Sequence, residues 1–127
     1  MHELEAEIRT HLEERGWDQL RPGDLAKSIA IEAAELLELF QWSNPTLAEV
    51  KEDAEKVEEV KKELADVLIY CLDLAVSLRL DAAAIIRAKL KKAQEKYPAH
   101  LFKNSGAEPG TEEAYWRIKE EYRKAGK

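Results

Sequence analysis

With 127 residues, 45% hydrophobic and 36% charged, the chain is the size of one domain and has material for a core. Five glycines and four prolines are too few for a turn-rich all-β design, and a net charge of −6 gives no basic face for a nucleic-acid polymer. No apolar run approaches the ~20 residues of a membrane span, so no membrane partner is expected. Met1–Glu5 has neither the basic nor the apolar region of a signal peptide, and a cytoplasmic all-α protein is the expectation. The one cysteine, Cys71, lies in the apolar run 67–72 and reads as an inert packing residue.

In chain order, residues 2–15 read as an amphipathic helix with Leu4, Ile8 and Leu12 on one stripe, ended by Gly16. Residues 17–23 form a connector by their Pro-Gly pair. Asp24 is expected to cap a second helix running to about Trp42, which Ser43-Asn44-Pro45 breaks. Thr46 and Glu49 then have capping-box spacing. Residues 51–62 alternate acid and base, the pattern of a solvated face or a mobile crossover. Residues 63–80 are almost wholly apolar and predict a third helix buried nearly all round. Asp81 is expected to cap a fourth, ending near Tyr97-Pro98. Residues 104–110 are loop-like, and Thr111 is expected to cap a last short helix bearing Tyr115, Trp116, Ile118 and Tyr122. The expected architecture is an antiparallel bundle of four core helices plus a short C-terminal helix. Residues 1–103 would form the domain and 104–127 an extension.

The informative feature is two acidic steps inside apolar helical runs, Glu32-Ala-Ala-Glu35 and Glu63-Leu-Ala-Asp66. Carboxylates three apart on a helix point the same way. On a helical wheel Leu25, Ile29, Ala33, Leu36 and Phe40 share one sector; Glu32 falls just inside its extended edge, Glu35 flanks it and Glu38 points away. On the third helix Asp66, Asp73 and Ser77 make a single polar strip, edged by Tyr70 and Glu63. Two facing pairs would crowd like charges into a low-dielectric volume, which a cation would relieve. Asp73 has no partner three residues away and reads as an ordinary charge, paired across the bundle or at its rim. Oxygen-only ligands suit Mg²⁺ or Mn²⁺. None of His2, His11 and His100 has the Glu-x-x-His spacing of a di-iron bundle. Mg²⁺ held by a few carboxylates usually also meets substrate phosphates, so the pattern points to phosphoryl chemistry.

These motifs resemble the paired acidic signature of the MazG-like all-α nucleoside triphosphate pyrophosphohydrolases. Arg15-Gly16-Trp17, Asp24-Leu25-Ala26-Lys27, the run from Glu35 to Phe40-Gln41-Trp42, Asp66-Val-Leu-Ile-Tyr70 and Lys96-Tyr97-Pro98 look like the branch containing dCTP pyrophosphatase. The likeness covers about residues 3–103. It implies a helical bundle assembled as a homodimer or homotetramer that cleaves a (d)NTP to the monophosphate and pyrophosphate. Carried over, Glu32, Glu35, Glu63 and Asp66 would hold Mg²⁺, with Glu35 also the candidate base for the attacking water. Trp17 and Trp42 would line a base pocket, Lys27, Lys89 and Lys96 would meet the phosphates, and Tyr70 and Tyr97 would be polar contacts. By themselves the two tryptophans read as packing anchors, and Lys89 and Lys96 as solvated charges. Ala93 stands where many members carry Asn, and Ile8 where some carry His or Phe. Two other readings fit the residues: a non-catalytic helical interaction module, and a hydrolase of another nucleotide-like diphosphate.

Overall fold

The computed structural model describes residues 1–102 and 109–126, for 109–114 the backbone alone, and the described residues form helices and no strands. The helices are α1 (His2–Arg15), α2 (Pro22–Glu38), α3 (Leu47–Glu52), α4 (Ala54–Ser77), α5 (Ala82–Lys96) and α6 (Pro109–Lys124), with a 3₁₀ turn at Ala99–Leu101. The chain divides into two compact units, Met1–Ala82 and Ala83–Lys127.

Two helix ends in the first unit close in the same way. At the end of α1, Gly16 (φ 69°) donates its N–H to Glu13 O at 3.2 Å, and Trp17 donates to Leu12 O at 2.8 Å. At the end of α4, Arg79 (φ 57°) donates to Val76 O at 3.0 Å and Leu80 to Ala75 O at 2.8 Å. Both are Schellman motifs, which satisfy orphan carbonyls by turning one residue left-handed. Glycine does this without strain, whereas the Cβ of Arg79 meets the following carbonyl.

The start of α2 differs from expectation. Pro22 occupies the first helical position behind an extended Arg21, so Asp24 lies within the first turn rather than at the cap. Proline has no N–H to leave unsatisfied there, and its fixed φ is already helical. The helix also stops at Glu38, short of Trp42. The next residues close by turns, Leu39 N–H to Leu36 O and Phe40 N–H to Leu37 O. The freed Leu39 carbonyl accepts a hydrogen bond from Lys56 Nζ at 3.3 Å.

The capping box at α3 forms as expected, Glu49 N–H to Thr46 Oγ1 at 3.2 Å and Thr46 N–H to Glu49 Oε2 at 3.3 Å. Of the two readings of 51–62, the solvated helical face holds and the mobile crossover does not. Asp53 is extended, its Oδ1 caps Lys56 N–H at 3.0 Å, and residues 54–62 are the opening turns of α4. Lys56–Glu59 at 3.3 Å and Glu58–Lys61 at 2.7 Å pair along those turns, so the acid–base alternation supports helix.

α1, α2 and α3 all pack on α4. Leu39, just past α2, meets Lys56 of α4, while Leu25 and Ser28 share a cavity with Ile69, Tyr70 and Asp73. Rising numbers on α2 meet falling numbers on α4, so the two helices are antiparallel. Leu25 is fully buried, and Ile8, Leu12 and Val76 cluster with Leu72 against them. Glu5 Oε1 accepts Ala82 N–H at 3.1 Å, and His2 pairs with Asp81 at 2.9 Å, which ties the start of α1 to the C-terminal end of the first unit.

Among the described residues of the first unit, α4 is not buried all round. Leu64, Leu68 and Cys71, spaced as one stripe, are exposed, because α1–α3 cover other directions of the helix. Cys71 therefore is not the enclosed packing residue expected. In the second unit α6 begins at Pro109, which puts Thr111 inside a 16-residue helix rather than at its cap. The loop expected over 104–110 falls largely outside the described residues.

The two Schellman ends predict opposite outcomes. Arg79→Gly should raise stability by about 0.5–1 kcal/mol, and Gly16→Ala should lower it by about 1–2 kcal/mol. Urea unfolding midpoints at constant slope check both.

Candidate functional site

The antiparallel register of α2 on α4 decides what the acidic steps do. Glu32 and Glu35 lie one turn apart on α2, Glu63 and Asp66 one turn apart on α4, midway between the Leu39–Lys56 contact and the Leu25 end. Glu32, Glu63 and Asp66 each present one carboxylate oxygen, all within 4.8 Å of one another. Glu32 Oε2 and Glu63 Oε2 are buried with no hydrogen-bond partner. Glu35, more exposed, lies beside Glu32 and Glu63. Among the described residues no Lys or Arg forms a salt bridge with any of the four.

The electrostatics follow from that crowding. The hydrogen bond with Glu32 is the largest influence raising the Glu35 pKa above the ordinary carboxylate range. Repulsion from Glu32, burial and Glu38 add to it, and a hydrogen bond with Glu63 opposes it. Glu63 is raised first by burial, then by repulsion from Glu35 and Asp66, with Lys62 opposing. Orphaned, oxygen-only ligands at this spacing fit a hard divalent cation.

Beside the acids lies a cavity of about 380 Å³ whose walls include His11, Trp17, Leu25, Asp66, Tyr70 and Asp73. That size is within the range of small-molecule pockets. Asp66 belongs to both the acidic cluster and the cavity wall. Trp17 reaches the wall because the Schellman turn after α1 folds its backbone back onto Leu12. His11 meets the indole edge-on, ring centroids 6.0 Å apart at 67°.

Asp73 is the correction that matters most here. It is only 6% exposed, its Oδ1 has no partner, and it is neither ion-paired nor at a rim. Burial is the main cause that raises its pKa, and the charge of His11 opposes.

Of the other expected residues, Tyr70 lines the cavity with Trp17. Trp42 does not: it lies beyond the end of α2 and is 90% exposed. Lys27 points to solvent and pairs with Asp24 at 3.7 Å. Lys89, Lys96 and Tyr97 belong to the second unit. There Lys89 borders a shallow apolar surface with Ile85, Ile86, Leu90 and Ala93. Lys96 Nζ sits over the rings of Tyr97 and Tyr122, and Tyr97 stacks on Tyr115 at 5.0 Å. Sequence reasoning missed His11 and undervalued Asp73. His11 carries no motif, whereas Asp73 announced itself by sharing a helical strip with Asp66.

Raised carboxyl pKa values carry a definite sign. Glu35, Glu63 and Asp73 hold protons more tightly folded than unfolded, so their contribution to stability is complete below the ordinary carboxylate range and is lost as pH rises through the raised values. In cation-free buffer, denaturant unfolding should show greater stability at mildly acidic than at neutral pH. Glu63→Gln should raise the neutral-pH value and flatten the dependence.

Residues 27–108 match the sequence model of the MazG-like family. Among curated proteins, the chain is 35% identical over 111 residues to dCTP pyrophosphatase 1 of Rattus norvegicus, covering 80% of this chain and 63% of that protein. The Homo sapiens protein of the same name is 36% identical over 111 residues with the same coverage. The chain thus spans slightly under two thirds of the length of these relatives. Among solved structures, a pyrophosphatase from Archaeoglobus fulgidus DSM 4304 superposes with a TM-score of 0.67 at 39% identity, over 77% of this chain and 92% of that one. On these matches and the all-helical fold, the chain belongs to the MazG-like family.

Proposed function

We propose that this chain hydrolyses a (deoxy)nucleoside triphosphate, dCTP or a base-modified dCTP, to the monophosphate and pyrophosphate. The observation that carries the reading is the junction at Asp66 of a cation-fitting acidic cluster with a base-sized cavity walled by Trp17 and Tyr70. Relatives named dCTP pyrophosphatase 1 and a structural neighbour named a pyrophosphatase support it.

In this reading Glu32, Glu63 and Asp66 hold Mg²⁺, or Mn²⁺ in its place, with Glu35 beside them. The bound cation supplies Lewis acidity and neutralises charge along the phosphate chain. The indole of Trp17 offers a stacking face for the base, worth about 1–3 kcal/mol. Glu35, less enclosed than its neighbours, takes the proton of the attacking water. The water oxygen bonds to phosphorus as the α–β bridging bond breaks, and its electron pair leaves with pyrophosphate. Lys27, Trp42, Lys89, Lys96 and Tyr97 keep only the support of the family resemblance. Residues 1–103 would carry the activity, with 104–127 as an extension.

The exposed Leu64–Leu68–Cys71 stripe supports assembly into a homodimer or homotetramer, because an apolar face of that kind on a central helix is relieved by a second copy. Light scattering should give a mass of at least two chains, and Leu68→Lys should lower it. A mass of one chain at all concentrations would count against assembly.

Pyrophosphate release from a panel of dNTPs and NTPs, with Mg²⁺ and with chelator, tests the reaction. Release should require the cation. Glu32→Gln and Asp66→Asn should each cut turnover by about 10²-fold or more while leaving the helical circular dichroism unchanged. Undiminished turnover in either variant, or in chelator, would overturn the metal reading.

A further inference from the structure

Asp73 takes no part in the chemistry above, yet it is the one charged side chain buried among the described residues. Its Oδ1 is buried without a partner, and Asp73 is one of the residues lining the cavity that also holds Trp17, Tyr70 and Asp66. A buried unpaired acceptor costs free energy that a better-packed apolar residue would avoid, and a donor on a ligand in the cavity would recover that cost. A base stacked against Trp17, with its phosphates directed to the acidic cluster, would turn its pairing edge toward the cavity floor.

We propose that Asp73 is a specificity-determining residue that selects nucleobases bearing an exocyclic amino group over their oxo counterparts, cytosine over uracil and adenine over hypoxanthine. The proposal rests on the nucleotide reading of the cavity. A carboxylate only accepts hydrogen bonds, so it needs a donor on the ligand. The amino group supplies one, and acidic side chains accept in this way from cytosine N4. When the carboxyl is neutral its proton can also be donated to the adjoining ring nitrogen, which gives two parallel bonds; the ionised carboxylate makes the amino bond alone. The edge of uracil or hypoxanthine sets a carbonyl oxygen where the amino group would be and moves its one donor to the adjoining ring N–H, so an ionised Asp73 placed for the amino group meets an acceptor there. His11 faces Asp73 from α1, and Asp66 and Tyr70 precede it on its own helix. Among the described residues no Lys or Arg pairs with it to compete for the carboxylate.

The test uses matched substrates that differ only in that edge, dCTP against dUTP and dATP against dITP, with the full chain, Mg²⁺ and three proteins: the unsubstituted chain, Asp73→Asn and Asp73→Ala. The amide of Asn both donates and accepts, so it fits amino and oxo edges alike. The amino-to-oxo ratio of kcat/KM should be on the order of tenfold or more in the unsubstituted chain. It should fall close to one in Asp73→Asn because the oxo substrates improve, and close to one in Asp73→Ala because the amino substrates worsen. An unchanged ratio in both variants, equal loss on all substrates, or no preference at the outset would each overturn the assignment. Calorimetric binding of dCMP and dUMP separates this from failure of the reaction itself. Amino-dependent affinity that Asp73→Asn abolishes, without any pyrophosphate release, keeps the base reader and removes the hydrolase. Release with a base ratio indifferent to residue 73 does the reverse.

Discussion

The position of α2 along α4 is the constraint on which everything else in the first unit depends. A slip of one turn, about 5.4 Å, would carry Glu32 and Glu35 past Glu63 and Asp66 and dissolve the cluster. That register is opposed by the acids themselves: the hydrogen bond with Glu32 at Glu35 and burial at Glu63 raise their affinity for protons most, and mutual repulsion adds to both. It is held from both sides. At one end Lys56 bridges the freed Leu39 carbonyl and Glu59. At the other Leu25 is fully buried, and the Ile8–Leu12–Val76 cluster brings α1 onto α4. The apolar ends set the geometry, and the charged middle accepts it.

Asp66 gives the middle its meaning. One carboxylate stands in a wall common to a polar and a mostly apolar space, so a ligand that fills the first is fixed in direction relative to the second. The Schellman turn at Gly16 contributes from the far side by folding Trp17 over Leu12. Most groups of this arrangement come from three helices of one compact unit and their termini. Side chains placed on helices are held more tightly than side chains on loops.

Much of this was legible in the residues. The two acidic steps and their facing arrangement followed from three-residue spacing inside apolar runs, and the capping box at Thr46 and Glu49 followed from spacing alone. The misread parts share a cause, which is that a local pattern has more than one tertiary use. Alternating charges at 51–62 fit a solvated face and a crossover equally until Asp53 is seen to cap residues 54–62 into α4. Asp73 resembles any lone acid until α1 and α2 close over it. The end of α2 could not be read from its own sequence, because the group that takes the Leu39 carbonyl is 17 residues away on another helix. Trp42 and Lys27, plausible from family likeness, lie in solvent.

The antiparallel pair also dictates an order of assembly. The Leu39–Lys56 contact spans 17 residues, a short loop stapled by α3, whereas the Leu25–Asp73 end closes a far longer one. Chain closure is least costly at the short end, so zipping starts there and runs toward the cavity. The carboxylates lie across its path. Zipping along this path brings Glu32 against Glu63 before Leu25 packs on α4, so residues whose value is realised only in the finished protein resist its assembly.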